Sequence, residues 1–286
     1  MTILVTAAHG NQARILVPRL VVSGCRVRAC VRSDASAQRL RAAGVNDVVV
    51  GDMSDPEVMD RAMRGVDSVY YIGPALHPME RAMGFAAVDA ARAAGVGHFV
   101  FSSVLHSITT DLVQHEVKRD IEEHLLSSGL EFTILQPTNY MLAHRLRPAF
   151  EHGVFRLSWA LQRYQSLVDL EDVTEVAQMV LLNAATHAGA TYELASAGRY
   201  TAHDLTDIIA TVIGTPVVTE RIEADSFLHA VLGDPAQFPY EARAMRAITD
   251  RYSSHDFVGN PNVLTWLLGR APVSFEQFVR RVHTAQ

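Results

Sequence analysis

The sequence predicts an α/β protein: a Rossmann-type doubly wound parallel sheet with a smaller, mostly helical C-terminal substrate lobe. Two observations carry this reading. Over the first 137 residues, short apolar runs alternate with segments of helical periodicity, joined by short loops; such β-α-β repeats close only as right-handed crossovers that cover both faces of a parallel sheet. The runs are nearly continuous in apolar residues, as strands buried on both faces must be. After Pro137 the rhythm is lost and helical and aromatic segments dominate.

Taken in order, residues 3–6 form the first strand. A turn containing Gly10 leads into a helix over 11–22, where Ile15, Leu16, Leu20 and Val22 keep close to helical spacing. Residues 26–31 alternate as the second strand, with Val27, Ala29 and Val31 on one face. A short helix over 35–43 stops at Gly44, and 47–50 is the third strand. Ser54 as N-cap and Glu57 three residues later match a capping box, opening a helix that carries Val58, Met59, Ala62 and Met63. The fourth strand is 68–72, an Ala-rich helix runs over 80–94 to Gly95, and 98–102 is the fifth strand. The helix over 112–126 repeats Val113, Val117, Ile121 and Leu125 four apart, and 132–135 is the sixth strand.

Beyond Pro137, residues 139–151 read as a helix and 153–165 as an aromatic segment with Phe155, Trp159 and Tyr164. Asp172 and Glu175 resemble another capping box, for a helix to Asn183. Residues 191–194 are a short strand, Thr201 caps a helix over 202–213 ended by Gly214, and 217–222 is a further strand. The remainder, 226–282, is mostly helical, with Ser274 and Gln277 as a last capping box. The core is expected over 1–153, completed by 165–213, and the substrate lobe over 214–286 plus 139–164.

The formal charge of −6 speaks against a nucleic-acid binder. Cys25 and Cys30 suggest no disulfide framework, and the scattered histidines form no metal motif. There is no Gly-x-Ser-x-Gly elbow. Met1 and Thr2 lead straight into the first strand, and no apolar run reaches the roughly 20 residues of a membrane span. A soluble cytoplasmic protein is expected, with no membrane or nucleic-acid partner; monomer and homodimer both stay open.

The turn Thr6-Ala7-Ala8-His9-Gly10-Asn11-Gln12-Ala13 lies between the first strand and the first helix. A turn there directs backbone N–H groups and a helix N-terminus at whatever sits above it, which favours a pyrophosphate. Only Gly10 keeps a usual glycine position; Ala7 and Ala13 occupy the others. The second strand ends Cys30-Val31-Arg32-Ser33-Asp34. No carboxylate stands where a ribose 2′-hydroxyl would be read, whereas the Arg32 fork and the Ser33 hydroxyl suit a 2′-phosphate. Asp34 is expected to act as a turn or cap residue. The dinucleotide predicted is therefore NADP(H). One further residue stands out: of 25 Lys plus Arg, Lys118 is the single lysine. A site that needs a compact ammonium on a flexible stem cannot take Arg instead.

Several motifs together resemble the NmrA-like family of atypical short-chain dehydrogenases/reductases: Val5 to Arg14, Val31-Arg32, Gly51-Asp52-Met53, Phe101-Ser102-Ser103-Val104, Lys118 with Glu122, Ser128 to Pro137, Asn139-Tyr140-Met141, and Leu267 to Phe275. The resemblance spans essentially the whole chain. It implies a Rossmann core, a smaller substrate lobe and a cleft between them. Carried over by position, Ala7, His9, Gly10, Asn11 and Gln12 belong to the pyrophosphate turn and Arg32 to the 2′-phosphate. Asp52 and Met53 flank the adenine, and Gly73 and Pro74 lie along the ribose. Ser102 and Lys118 approach the nicotinamide ribose, and the segment from Pro137 through Asn139 to Tyr140 edges the nicotinamide.

The wider superfamily's Tyr-x-x-x-Lys reads Gln114-x-x-x-Lys118 here, so its tyrosine acid is absent. A proton donor would then be Tyr140, His115, His106, a water, or the substrate's own phenol. The resemblance implies NADPH-dependent hydride transfer to a ketone or quinone of an apolar, aromatic small molecule. A non-catalytic NADP(H)-sensing regulator and a non-redox isomerase or cyclase stay open beside it. If Lys118 only binds cofactor, its truncation weakens NADPH and leaves the fold's stability little changed.

Overall fold

A computed structural model describes residues 1–285. The chain opens with β1 (Thr2–Val5), α1 (Ala13–Val22), β2 (Arg26–Val31), α2 (Asp34–Ala42), β3 (Asp47–Val50) and α3 (Pro56–Met63). It continues with β4 (Ser68–Ile72), α4 (Glu80–Ala93), β5 (His98–Ser102), α5 (Val113–Leu126) and β6 (Phe132–Pro137). With β10 (Ala190–Leu194) these strands form a seven-stranded sheet in the order β10-β6-β5-β4-β1-β2-β3. Every pairing from β6 to β3 is parallel. The order reverses at β1, whose neighbours are β2 and β4, and an open sheet has its ligand crevice at such a switch point, beyond the carboxyl ends of the strands.

The chain forms two compact units. The first comprises residues 1–108, 114–136 and 173–192. Its sheet buries Leu4, Tyr71, Phe99 and Phe101 against Met59 and Met63 of α3 and Ile121 and Leu125 of α5. Gly84, inside α4, lies so close to α5 that a Cβ there would collide with Ile121.

The second unit comprises residues 109–113, 137–172 and the chain from Glu193 onward. Helix α9 (Ala202–Ile213) therefore packs with this unit rather than with the core, where the sequence had placed it. Leu205 and Ile209 of α9 share a core with Phe275, Phe278 and Val279 of α13 (Phe275–Thr284). Both helices begin as the sequence indicates: Thr201 and Asp204 close one capping box, Ser274 and Gln277 another, and Gly214 ends α9 in the left-handed conformation.

Three local expectations are corrected. Residues 139–151 are not one helix. Asn139–Tyr140 is a short strand (β7) paired in parallel with Leu167–Val168 (β9), and the helix α6 starts only at Ala143 and runs to His152. The partner strand lies 28 residues away, and that pairing outweighs local propensity. The cap of α3 is Asp55, which accepts from Glu57 N, while Ser54 donates from N and Oγ to Asp52 Oδ1 at 2.8 Å each. Asp172 caps nothing: it lies inside α7 (Leu170–Leu182), fully buried, accepting from Arg270 Nη2 at 2.8 Å and Val273 N at 2.7 Å.

Candidate functional site

Beyond Val5 the chain leaves the sheet into the first turn. Thr6 ties that turn to β4, its Oγ1 donating to Ile72 O at 3.0 Å and accepting from Ile72 N at 2.7 Å. Ala7 then takes a φ of +44°, and Gly10 N donates back to Ala7 O at 2.8 Å. The left-handed conformation thus falls on an alanine, at a cost of roughly 1–2 kcal/mol for an L-residue. Gly10 keeps an ordinary φ, and its lack of a side chain serves close approach: a Cβ would stand 3.1 Å from Ala7 O.

Around this turn lies a cavity of about 220 Å³ at the carboxyl ends of β1 to β4. Ala7, His9, Gly10, Arg32, Asp52, Met53 and Pro74, all singled out from sequence, line it together. Cys30, Val31, Gly51, His77 and Met83 line it as well, and sequence reasoning missed them as site residues. Position after a strand end was the one signal available for Gly51 and His77.

Arg32 and Asp52 both stand in the cavity wall. Burial first, then the charges of Arg14, Arg32 and Arg39, hold the His9 imidazole below its usual pKa. Arg32 makes no ion pair or hydrogen bond among the described residues and is exposed. Hydrogen bonds from Ser54, then the charges of His77 and Arg32, hold Asp52 below the usual carboxylate range. Ser33 is engaged otherwise than expected: it is the N-cap of α2, accepting from Ser36 N. Burial pushes the Cys30 thiol up to about 11, so it is an inert core residue.

Gln12 turns inward. Its Oε1 accepts from the Tyr70 hydroxyl at 2.5 Å, and its Nε2 donates to Ser102 Oγ at 3.0 Å. The side chain therefore braces the turn from below instead of lining the cavity, a correction to the reading from resemblance. Asn11 stays exposed at the turn.

A second group gathers Gly73, Ser102 and Lys118, as expected, around a residue that was not. Lys118 Nζ pairs with Glu80 Oε1 at 2.8 Å, lies 3.5 Å from Ser102 O, and sits 5.1 Å from the centre of the Phe101 ring. A Cβ on Gly73 would come within 3.1 Å of Glu80 Oε1 and 3.4 Å of Lys118 Nζ. The side chains of the pair are 9% and 1% exposed, and neither Glu80 oxygen accepts a hydrogen bond of good geometry beside the ion pair. Tyr71 lies close by with its hydroxyl buried and unpartnered; burial and then the Glu80 charge push its pKa far up.

Glu122 takes no part in this pair. It accepts from the hydroxyls of Ser103 and Ser107 and from Gln136 Nε2, in a buried network of neutral donors. His115 is 1% exposed with Nδ1 at 2.9 Å from His106 O.

In the second unit, Asn139 and Tyr140 of β7 line a separate, mostly apolar pocket with Phe155, Leu157, Trp159, Phe275 and Phe278. Pro137 is buried at the end of β6. Of the three candidate catalytic residues, Tyr140 lines this pocket, while Lys118 and His115 belong to the first unit.

Comparison with known proteins adds the following. Residues 1–265 match the model of the NmrA-like family. The chain is 30% identical over 247 residues to the (4-alkanoyl-5-oxo-2,5-dihydrofuran-3-yl)methyl phosphate reductase of Streptomyces griseus subsp. griseus, covering 83% of this chain and 82% of that protein. It is 26% identical over 235 residues to Quinone oxidoreductase 2 of Escherichia coli (strain K12), covering 80% of each. Among solved structures it is similar to the Citrobacter sp. triphenylmethane reductase complexed with NADP(H), with a TM-score of 0.83 at 23% identity over 99% of this chain and 100% of that one. At that identity the likeness concerns the fold. No described helix is long and apolar enough to cross a membrane.

Proposed function

The chain belongs to the NmrA-like family, and from that premise we propose that it is an NADPH-dependent reductase acting in the cytoplasm on a ketone or quinone of an apolar, aromatic small molecule. The observation that carries this reading is the cavity at the carboxyl ends of β1 to β4, which Arg32 lines beside His9, with Arg14 and Arg39 close enough to act on His9 and no carboxylate ending β2. A dinucleotide with a 2′-phosphate fits that charge, and Gly10 leaves room for the close approach a pyrophosphate needs.

In this reading the backbone of Ala7, His9, Gly10 and Asn11 holds the pyrophosphate at the positive, N-terminal end of α1. Arg32 holds the 2′-phosphate, Asp52 and Met53 flank the adenine, and Gly73 and Pro74 border the ribose. Ser102 and Lys118 address the nicotinamide ribose, and Pro137 and Asn139 edge the nicotinamide. Gln12 contributes by fixing Ser102, with which it is hydrogen-bonded. When bound, NADPH supplies the hydride. The protein supplies binding, orientation and exclusion of water. Glu80 holds the Lys118 ammonium beneath Gly73. Of the candidate proton donors, Tyr140 has the support of lining the apolar pocket, where an aromatic substrate would lie. His115, held on a backbone carbonyl in the interior, is read as structural.

Calorimetric titration with NADPH and NADH, together with NADPH oxidation in the presence of 1,4-naphthoquinone, tests the proposal. NADPH is expected to bind at least ~10-fold more tightly, about 1.4 kcal/mol, with the preference lost in Arg32→Ala. Equal affinities in the wild type would refute the cofactor assignment. Tight NADPH binding without turnover on quinones and ketones would replace the reductase with a sensing role.

A further inference from the structure

The pocket of the second unit carries an unmatched charge. Two guanidinium groups, Arg145 and Arg163, stand among its lining residues, and none of those residues is an aspartate or glutamate. Arg163 is answered elsewhere: its Nη1 lies 3.7 Å from Asp256 Oδ1, and its Nε donates to Ser253 O at 3.2 Å. Arg145 has no such partner. Among the described residues its guanidinium makes neither an ion pair nor a hydrogen bond. The ionisable group that acts on it is the Tyr252 phenol, kept neutral chiefly by burial, with its hydroxyl donating to Asn139 Oδ1 at 3.4 Å. Arg145 is exposed as a residue, and the protein packed around its guanidinium lowers its pKa.

A second observation is independent of that charge. Gln165 lines the same pocket and is 2% exposed. Its backbone is clamped on both sides, N donating to Tyr200 O and O accepting from Tyr200 N, each at 2.9 Å. Its Oε1 accepts from Asn139 Nδ2 at 2.9 Å, while its Nε2 is buried with no acceptor. Native folds leave few such donors unanswered. The pocket therefore offers a cation and an orphaned N–H and lacks any negative charge to meet them.

We propose that this pocket recognises an anionic group, a carboxylate, sulfonate or phosphate, on an otherwise apolar aromatic molecule, through the Arg145 guanidinium and the Gln165 amide. The proposal rests on reading this pocket as the substrate site and narrows its substrate class. The guanidinium fork matches the oxygens of such a group. Phe155, Trp159, Phe275 and Phe278 present apolar walls to the rest of the molecule. The cavity of about 50 Å³ is several times the ~10–15 Å³ that one water occupies, which is room for a head group of that size. Cationic aromatic substrates meet the wrong sign of charge.

The test compares 2-naphthoate with its neutral isostere 2-naphthamide, by calorimetry and by the emission of Trp159; the other tryptophan, Trp266, is 74% exposed. The wild type is expected to bind naphthoate on the order of 10-fold more tightly, or about 1.4 kcal/mol. Arg145→Met should erase the preference, Arg145→Lys keep part of it, and Gln165→Met weaken naphthoate more than naphthamide. Equal affinities, no binding of either probe, or a preference that survives Arg145→Met overturns the proposal. No redox chemistry enters this measurement, so it is separable from the reductase reading, which stands or falls on NADPH oxidation with neutral 1,4-naphthoquinone.

Discussion

Removing the ammonium of Lys118 should unfold more than it unbinds. Lys118→Met keeps the length of the stem and deletes the charge, leaving Glu80 as a carboxylate that is 1% exposed with no hydrogen-bond donor in good geometry. Breaking a buried pair from one side costs about 3–5 kcal/mol, because an uncompensated charge is left inside. Glu80 has no other hydrogen-bond partner to soften that loss, so the full range is expected. Replacing both residues is different: Lys118→Met with Glu80→Leu removes both desolvation penalties and should recover most of the stability, since apolar substitutes for buried pairs are often neutral or better. Urea unfolding followed by far-ultraviolet circular dichroism, without cofactor, measures the wild type, both single variants and the double variant. The coupling energy of that cycle should be at least ~2 kcal/mol. A single variant within ~1 kcal/mol of wild type, or a double variant no more stable than Lys118→Met, would refute the argument. This replaces the expectation, drawn from sequence, that Lys118 could be truncated with little effect on the free protein.

Other outcomes follow from single positions. Ala7→Gly should leave NADPH binding intact and raise stability by up to ~1 kcal/mol, because relief of roughly 1–2 kcal/mol of left-handed strain exceeds the added unfolded-state entropy of ~0.4–1 kcal/mol; a lower midpoint in urea would contradict it. Gly84→Ala should destabilise by ~1–3 kcal/mol despite alanine's better helix propensity, since the new Cβ meets Ile121, and Ile121→Val should restore part of the loss in the double variant. His98 makes stability fall with acid. Thr133 Oγ1 donates to His187 O, so His98 Nε2 must donate to Thr133, and Nδ1 is buried without a partner. Burial, with a smaller contribution from His187, lowers its pKa to about 4. The unfolded chain, near 6.5, therefore binds more protons between about pH 6.5 and 4, and stability should drop by ~2–3 kcal/mol across that window and be unaffected by His98 above it. Urea titrations at several pH values should show that slope flattened in His98→Gln; an unchanged slope would assign the acid sensitivity to other groups.

The sheet was legible in the sequence because burial on both faces writes a strand as a short apolar run: β2, β3, β4 and β5 fall where those runs stand. Helix starts were legible where the cap is local, as at Thr201 and Ser274. They were misread where two acceptors compete, as at Ser54 and Asp55. Much of the cavity in the first unit was readable for a related reason. Parallel strands leave the sheet on one side, so Ala7, Arg32, Asp52 and Pro74 meet once the strands are in register.

Contacts over long separations decided the rest. Asn139–Tyr140 became a strand because Leu167–Val168 lies beside it. Asp172 is held by Arg270, 98 residues on, and Lys118 by Glu80, the first residue of the neighbouring helix α4. The sequence marked Lys118 as unusual but not its partner, and it gave no sign that Arg145 and Gln165 face one pocket without an acceptor. Periodicity and capping are written in neighbouring residues; the pairing of buried charges and donors is set only when packing brings distant segments together and removes the water that would otherwise have satisfied them.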